Sequence, residues 1–140
     1  ELYIVRGALE GLAARLAARH ATPEEVRVLR EMVEADRALV GDPFALARAN
    51  RRFHRQIHLT SHNRFLIQQL DLVHRSMALL ATTSIAAQGR SQDTLTEHSA
   101  IIAAIALGDG DAADAALRDH ISRAFITRLR IDAQRAEREL

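Results

Sequence analysis

The chain has 140 residues, which is enough for one hydrophobic core and too short for two domains of ordinary size. Its 19 basic residues are all arginine and face 18 acids, a net charge of +1 that argues against a strongly basic nucleic-acid-binding surface. Hydrophobic residues make up 48% of the chain and aromatic residues only 4%, which favours a helical core of alanine, leucine and isoleucine. The absence of cysteine excludes disulfides, thiolate zinc sites and cysteine nucleophiles.

No stretch approaches the roughly 18 consecutive apolar residues of a membrane span. The first segment also lacks the charged start and the small-residue cleavage site of a signal peptide. We therefore expect a cytoplasmic protein with no membrane partner. Because the chain begins with Glu1 rather than methionine, we expect residues 1–140 to form a single domain taken from a longer protein.

Six helices and no strand are predicted from apolar spacing and from helix start and stop signals. The predicted helices cover about residues 1–20, 23–40, 43–61, 64–88, 92–107 and 110–140. The first has an apolar stripe formed by Leu2, Val5, Leu9, Leu12 and Leu16. Thr22, Asp42 and Asp109 are the expected N-terminal caps of the second, third and sixth helices. Short connections between long helices predict an all-α fold, an antiparallel bundle of about six helices around a central cavity for a ligand or metal.

Three of the seven histidines fall within apolar stripes of three different predicted helices, so their side chains should point into the core. They are His54, one turn after Asn50, and His98 and His120. One inward histidine is more often a hydrogen-bonded core residue than a ligand, but three buried together need partners for their nitrogens. A divalent metal ion supplies one partner for all three, and Asn50 can add an amide oxygen.

A rival histidine set, His54, His58 and His62, lies along one predicted helix. Three ligands on one straight helix would span about 12 Å, too far to close on a single ion. Sequence signatures of hydrolases, nucleotide-binding loops and di-iron bundles are missing. No acidic residue is expected beside the histidines in the core, so a metal-dependent enzyme would lack a general base.

Several segments resemble one known family when they are taken in order along the chain. The opening carries Leu2-Tyr3-x-x-Arg6-x-x-Leu9-Glu10, and the centre carries Asn50-Arg51-Arg52-Phe53-His54 with Asn63 downstream. The last part places His98 and His120 on either side of Gly108-Asp109. Together these segments resemble the FCD domain, the C-terminal effector-binding domain of GntR-family transcription regulators of the FadR subgroup.

The resemblance implies a metal ion, zinc or nickel, held by one carboxylate and three histidines at positions 50, 54, 98 and 120. This chain has Asn50 where the family usually has aspartate, and a neutral amide oxygen is a weaker ligand for a hard cation. The resemblance also implies that Arg6 faces the cavity, where its guanidinium suits a carboxylate. An ordinary salt bridge between Arg6 and Glu10 is the alternative, and Arg75 is a weaker candidate for effector binding.

In such regulators the effector is a small organic acid, and a separate N-terminal winged-helix domain, which we do not find in this chain, binds operator DNA. The resemblance therefore implies a ligand-sensing homodimer without enzymatic activity that contacts DNA only through that N-terminal domain. Two other functions stay open. One is a metal-dependent hydrolase or lyase that uses the same histidines, and the other is a helical dimerisation module with structural histidines.

Overall fold

The computed structural model describes residues 1–79 and 84–139, which contain six α-helices and no strand. The helices are α1 (Leu2–His20), α2 (Pro23–Asp36), α3 (Pro43–Thr60), α4 (Arg64–Met77), α5 (Arg90–Ala106) and α6 (Gly110–Arg138). Two 3-10 turns, Arg37–Leu39 and Ser84–Ala86, lie between them. The predicted all-α fold is confirmed. Within this part of the chain, none of the helices is both long and apolar enough to span a bilayer.

Side-chain caps begin four of the helices. Thr22 forms the predicted capping box with Glu25, each side chain accepting a hydrogen bond from the other residue's backbone N–H. Asp42 and Asp109 cap α3 and α6 as expected. Asn63, expected near the end of the third helix, instead caps the start of α4. Local sequence therefore places most helix starts correctly.

Two predicted helix ends are wrong. The second helix ends at Asp36 rather than near Val40, because the chain tightens into a 3-10 turn. The fourth ends at Met77 rather than at Gln88, and part of that predicted extension, residues 80–83, lies outside the described residues. The α5 helix follows Gly89, whose positive φ of 74° suits glycine.

The buried face of α1 differs from the predicted apolar stripe. Val5 and Leu12, both assigned to that stripe, are 48% and 38% exposed. The buried residues of α1 are instead Arg6, Glu10, Gly11, Ala13, Ala14 and Ala17. Small residues are needed here because α6 packs very closely, and a β-carbon at position 11 would lie 2.2 Å from a carboxylate oxygen of Asp114. The close approach turns Arg6 and Glu10 toward the interior.

The α1 helix contacts α3, α4, α5 and α6, so its buried face meets side chains from most of the bundle. Most residues of the apolar stripes predicted for α3, α5 and α6 are buried, among them Phe53, Leu95 and Leu117. This arrangement brings three histidine-bearing helices around the two charged residues of α1.

Candidate metal centre and effector cavity

A cavity of about 690 Å³ opens between α1, α3, α4, α5 and α6. Its polar lining residues are Tyr3, Arg6, Arg48, Asn50, Arg51, His74, Ser84, Arg90, Thr94 and His120. None of the described lining residues is acidic, so the cavity offers cationic and neutral donors to a ligand. A volume of this size suits a small organic molecule.

His54, His98 and His120 converge although they come from three helices, and His120 also lines the cavity. One ring nitrogen from each lies within 4.8 Å of the others, and all three side chains are buried. Burial lowers the pKa of His54 to about 3 and also lowers the pKa values of His98 and His120. The three imidazoles are therefore neutral at pH 7, the form that binds metal.

The fully buried carboxylate of Glu10 accepts hydrogen bonds from three histidines. Its oxygens lie 3.1 Å from Nδ1 of His54, 2.9 Å from Nε2 of His58 and 2.7 Å from Nε2 of His74. Burial by itself would raise the pKa of Glu10, but His54, together with the hydrogen bonds from His58 and His74, holds it well below its usual range. Glu10 therefore stays ionised and keeps the His54 proton on Nδ1.

A second carboxylate, that of the partly buried Glu97, holds His120 in the same way. Nδ1 of His120 lies 2.5 Å from a Glu97 oxygen, and both terminal nitrogens of Arg90 donate to the same carboxylate at 2.7 and 2.8 Å. Burial would raise the pKa of Glu97, and the hydrogen bonds from His120 and Arg90 lower it overall. The bidentate Arg90 pair fixes the carboxylate, and the carboxylate fixes the imidazole.

These two carboxylates leave Nε2 of His54 and Nε2 of His120 as unprotonated nitrogens facing each other at 3.1 Å. Two lone pairs at this distance repel unless a cation lies between them. Two ligand nitrogens at about 2.0–2.1 Å from one ion would be roughly 3 Å apart, so the spacing suits coordination. The donor set fits a divalent metal ion held by imidazole nitrogens.

His98 and the cavity-lining Asn50 carry buried polar atoms with no hydrogen-bond partner among the described residues. These unpartnered atoms are both ring nitrogens of His98 and Oδ1 of Asn50. The His98 ring is held in place by stacking on Phe53, with ring centroids 3.9 Å apart. A cation held by the three histidines would satisfy one His98 nitrogen, and the Asn50 oxygen is free to contact a ligand in the cavity.

The FCD domain family model matches residues 1–123 of this chain, most of its length. The chain belongs to the FCD domain family. FCD domains are the effector-sensing regulatory domains of GntR-family transcription regulators, and this chain is a domain of that kind.

Two curated relatives of this FCD domain are named as operon regulators. A probable D-xylose utilization operon transcriptional repressor from Paenarthrobacter nicotinovorans is 32% identical over 84% of this chain. A putative L-lactate dehydrogenase operon regulatory protein from Escherichia coli is 33% identical over 94% of it. The FCD domain spans about half the length of each relative, 52% in both cases.

Two solved structures share the fold of this FCD domain. The Streptococcus agalactiae GntR structure superposes with a TM-score of 0.73 at 26% identity, over 91% of this chain and 56% of that one. E. coli McbR/YncC superposes with a TM-score of 0.77 over 93% of this chain and 67% of that one. Its identity is 18%, so this second similarity concerns the fold alone.

Arg6 and Arg75, the two arginines predicted to bind the effector, lie in different surroundings. Arg6 lines the cavity, and its Nε lies 3.7 Å from a Glu10 oxygen, so the predicted cavity position and the alternative ion pair are both present. Arg75 is exposed and is not among the described residues that line the cavity, whereas the adjacent His74 does line it. One residue along a helix changes the direction of the side chain by about 100°.

The expectation that no acid lies beside the histidines is wrong, because Glu10 and Glu97 both contact them. The sequence indicates Glu10 as a partner of Arg6, and its position one turn after Arg6, in line with Ala14 and Ala17, is the signal that Glu10 is buried. Neither acid lines the cavity of this FCD domain, and the lowered pKa of each makes it a weak base. They therefore suit the orientation of ligands better than proton transfer.

Proposed function

We propose that this domain senses a small organic acid by binding it in the central cavity, next to a divalent metal ion held by His54, His98 and His120 with Asn50. Six buried side-chain atoms among the described residues have no hydrogen-bond partner, and they carry the proposal. Each belongs either to His98 or to one of the cavity-lining residues Arg6, Asn50, Arg90 and Thr94. Such atoms cost about 1–3 kcal/mol each, so their clustering supports a binding site.

The chain's own residues prepare this metal centre. Glu10 and Glu97 keep the protons of His54 and His120 on Nδ1, so both Nε2 atoms are free to bind a cation without first losing a proton. A bound zinc or nickel ion would offer an open coordination position to a carboxylate oxygen of the effector. Thr94 and the Nε of Arg90 and Arg6 then provide further donors at the cavity wall.

Binding in this position can be transmitted because the cavity is lined by most of the helices. A ligand that favours one arrangement of α1 against α3 and α5 shifts the population of domain geometries in proportion to its difference in affinity. In a full-length regulator, an N-terminal DNA-binding domain would convert that shift into a change of operator affinity. The family membership and the relatives' greater length support this role.

A homodimer is part of the same proposal, and the exposed apolar residues of α1 and α6 support it. Ile4 and Val5 on α1, and Ile126 and Leu129 on α6, are all exposed, and the two helices pack against each other. Apolar surface of this kind commonly marks an interface between subunits. Sedimentation analysis should give a dimer, and Ile126→Arg with Leu129→Arg should give a folded monomer.

Metal loading followed by thermal unfolding tests the proposed function. We expect one divalent ion per chain by elemental analysis, and its loss in His120→Ala. A carboxylate library should then contain an acid that raises the Tm of the metal-loaded protein by several degrees, since ligand at about 100 times its Kd adds roughly 2.7 kcal/mol. Arg6→Ala should abolish the ligand shift and retain the metal, because its guanidinium binds the carboxylate.

Three outcomes would contradict this proposal. If His120→Ala keeps the metal, the ion binds elsewhere. If no metal and no acid binds, the domain is a helical dimerisation module with structural histidines. If an acid binds and is consumed during the assay, the same histidines serve a metal-dependent enzyme.

A further inference from the structure

We propose that the effector carries a second anionic group, a carboxylate or a phosphate, and that Arg48 and Arg51 bind it at the mouth of the cavity. The inference rests on the proposed function and specifies its ligand class. A monocarboxylate would satisfy the metal centre and Arg6 but would leave both α3 arginines unused.

The charges around the cavity are the first argument. Four arginines line it, Arg6, Arg48, Arg51 and Arg90, and no acid is among the described lining residues. The charge of Arg6 is opposed by Glu10 at 3.7 Å, and that of Arg90 by Glu97 at 2.7 Å. Nothing in the described structure opposes Arg48 or Arg51 in this way, so the mouth carries two uncompensated positive charges.

Other arginines of α3 show that pairing is available on this helix. Arg55 donates to Asp71 at 2.6 Å, and the charge of Arg52 acts on Asp36. Arg48 and Arg51 differ from both, since they line the cavity and form no ion pair with a described residue. A guanidinium with free donors beside a concave site is suited to bind a carboxylate or phosphate with two parallel hydrogen bonds.

The positions of these residues along α3 set the approximate size of the ligand. Arg51 and Arg48 precede the candidate ligand His54 by three and six residues, which correspond to about 4.5 and 9 Å along the helix axis. Both arginines lie on the side of His54 toward Phe44, which also lines the cavity. A compact molecule with one anionic group at the metal centre can therefore place a second group within reach of both side chains.

Two matched pairs of acids test the inference, with titration calorimetry on metal-loaded protein at about 0.1 M salt. Malate differs from 2-hydroxybutanoate by a second carboxylate, and 3-phosphoglycerate differs from glycerate by a phosphate. We expect malate, 3-phosphoglycerate or both to bind about tenfold or more tightly than the matched acid without the second anionic group, as one charge-assisted contact provides. The pair with the larger ratio identifies the second group as a carboxylate or a phosphate.

The double variant Arg48→Gln with Arg51→Gln should lower that ratio to about twofold or less, and should leave the metal content and the binding of the monoanion unchanged. The control is Arg30→Gln with Arg130→Gln, which removes the same charge from exposed positions that do not line the cavity. This control should keep the wild-type ratio. An equal loss in both double variants would assign the preference to net charge and overturn the inference.

The outcomes also separate this inference from the proposed function. If 2-hydroxybutanoate and glycerate bind as tightly as malate and 3-phosphoglycerate and need the metal, the inference fails and the proposed function stands. If the preference for the acid with a second anionic group persists in the Arg48 and Arg51 variant, the second group binds elsewhere and the inference fails. If none of the four acids binds to metal-loaded protein, the inference fails, and the carboxylate library decides the proposed function.

Discussion

The carboxylate of Glu10 on α1 accepts a hydrogen bond from Nδ1 of His54 on α3, at 3.1 Å. The contact joins the fully buried acid of the first helix to a candidate metal ligand in the middle of the chain. Because the proton stays on Nδ1, Nε2 of His54 is directed as a lone pair toward His120. The orientation of the His54 ring at the candidate metal centre thus depends on the carboxylate of Glu10.

Replacement of Glu10 should weaken metal binding without removing a ligand. In Glu10→Gln, we expect an affinity for zinc or nickel about 10- to 100-fold lower, because a neutral amide no longer fixes the His54 tautomer. The metal-free domain should also lose about 3 kcal/mol of unfolding free energy, since His58 and His74 lose a charged acceptor as well. Competition titration with a chelator and chemical denaturation measure the two effects.

The matched control for this change is Glu25→Gln. Glu25 also pairs with a histidine, His62, but at the surface and away from the cavity. The Glu25→Gln variant should bind metal as tightly as the wild type. Its unfolding free energy should fall by about 1 kcal/mol or less, because Glu25 belongs to the capping box. Equal losses of metal affinity in both variants would show that Glu10 has no specific effect on the centre.

Because His98 is buried and has no hydrogen-bond partner in the described part of the chain, its replacement should abolish metal binding without lowering the stability of the metal-free domain. His98→Leu removes two buried nitrogens that lack partners and preserves most of the side-chain volume against Phe53. We expect the metal-free domain to be unchanged or more stable by about 1–2 kcal/mol, while the rise in Tm on metal addition disappears. A clear loss of metal-free stability would indicate that His98 has a structural partner in solution.

The sequence predicted the stripes of α3, α5 and α6 because their spacing of apolar residues is regular and the histidines lie within them. The convergence of His54, His98 and His120 followed from that spacing alone. The caps at Thr22, Asp42 and Asp109 were equally local, since each depends on a side chain and a backbone N–H three residues later.

The α1 helix was predicted less well for a physical reason. Its leucine stripe is the more hydrophobic face, yet close packing of Gly11 against α6 turns the alanines, Arg6 and Glu10 inward. Burial of Glu10 is favourable only because histidines from two other helices donate to it. These hydrogen bonds depend on the tertiary structure, so the residue pattern of α1 alone does not predict them.

The amide at position 50 predicts that this chain binds its metal less tightly than a variant with a carboxylate would. Asn50→Asp should raise the metal affinity by about tenfold or more, since it adds a negative charge at a ligand position. Asn63→Asp is the matched control, because position 63 lies at the start of α4 and aspartate caps a helix as well as asparagine does. Its metal affinity should equal that of the wild type. An unchanged affinity in Asn50→Asp would mean that position 50 is not a ligand.

The lowered pKa values of the three core histidines predict how the stability of the metal-free domain depends on pH. The pKa of His54 is about 3 in the folded state, and burial also lowers those of His98 and His120, whereas unfolded histidine titrates near 6.5. The unfolded chain therefore binds more protons below pH 6.5, and the unfolding free energy should fall steadily as the pH decreases from 6.5 toward 5. Denaturation in the presence of a chelator at several pH values measures this slope.

The His98→Leu variant measures the contribution of His98 to this pH dependence. Between pH 6 and 5 its unfolding should take up about one proton fewer than that of the wild type, so the pH dependence of its stability should be shallower. Because the pKa of Glu10 is also lowered, its contribution is lost only below about pH 4.5 and does not affect this range. An identical slope in the two proteins would mean that His98 is protonated to the same extent in the folded and unfolded states. The neutral imidazole assigned to the metal centre would then be incorrect.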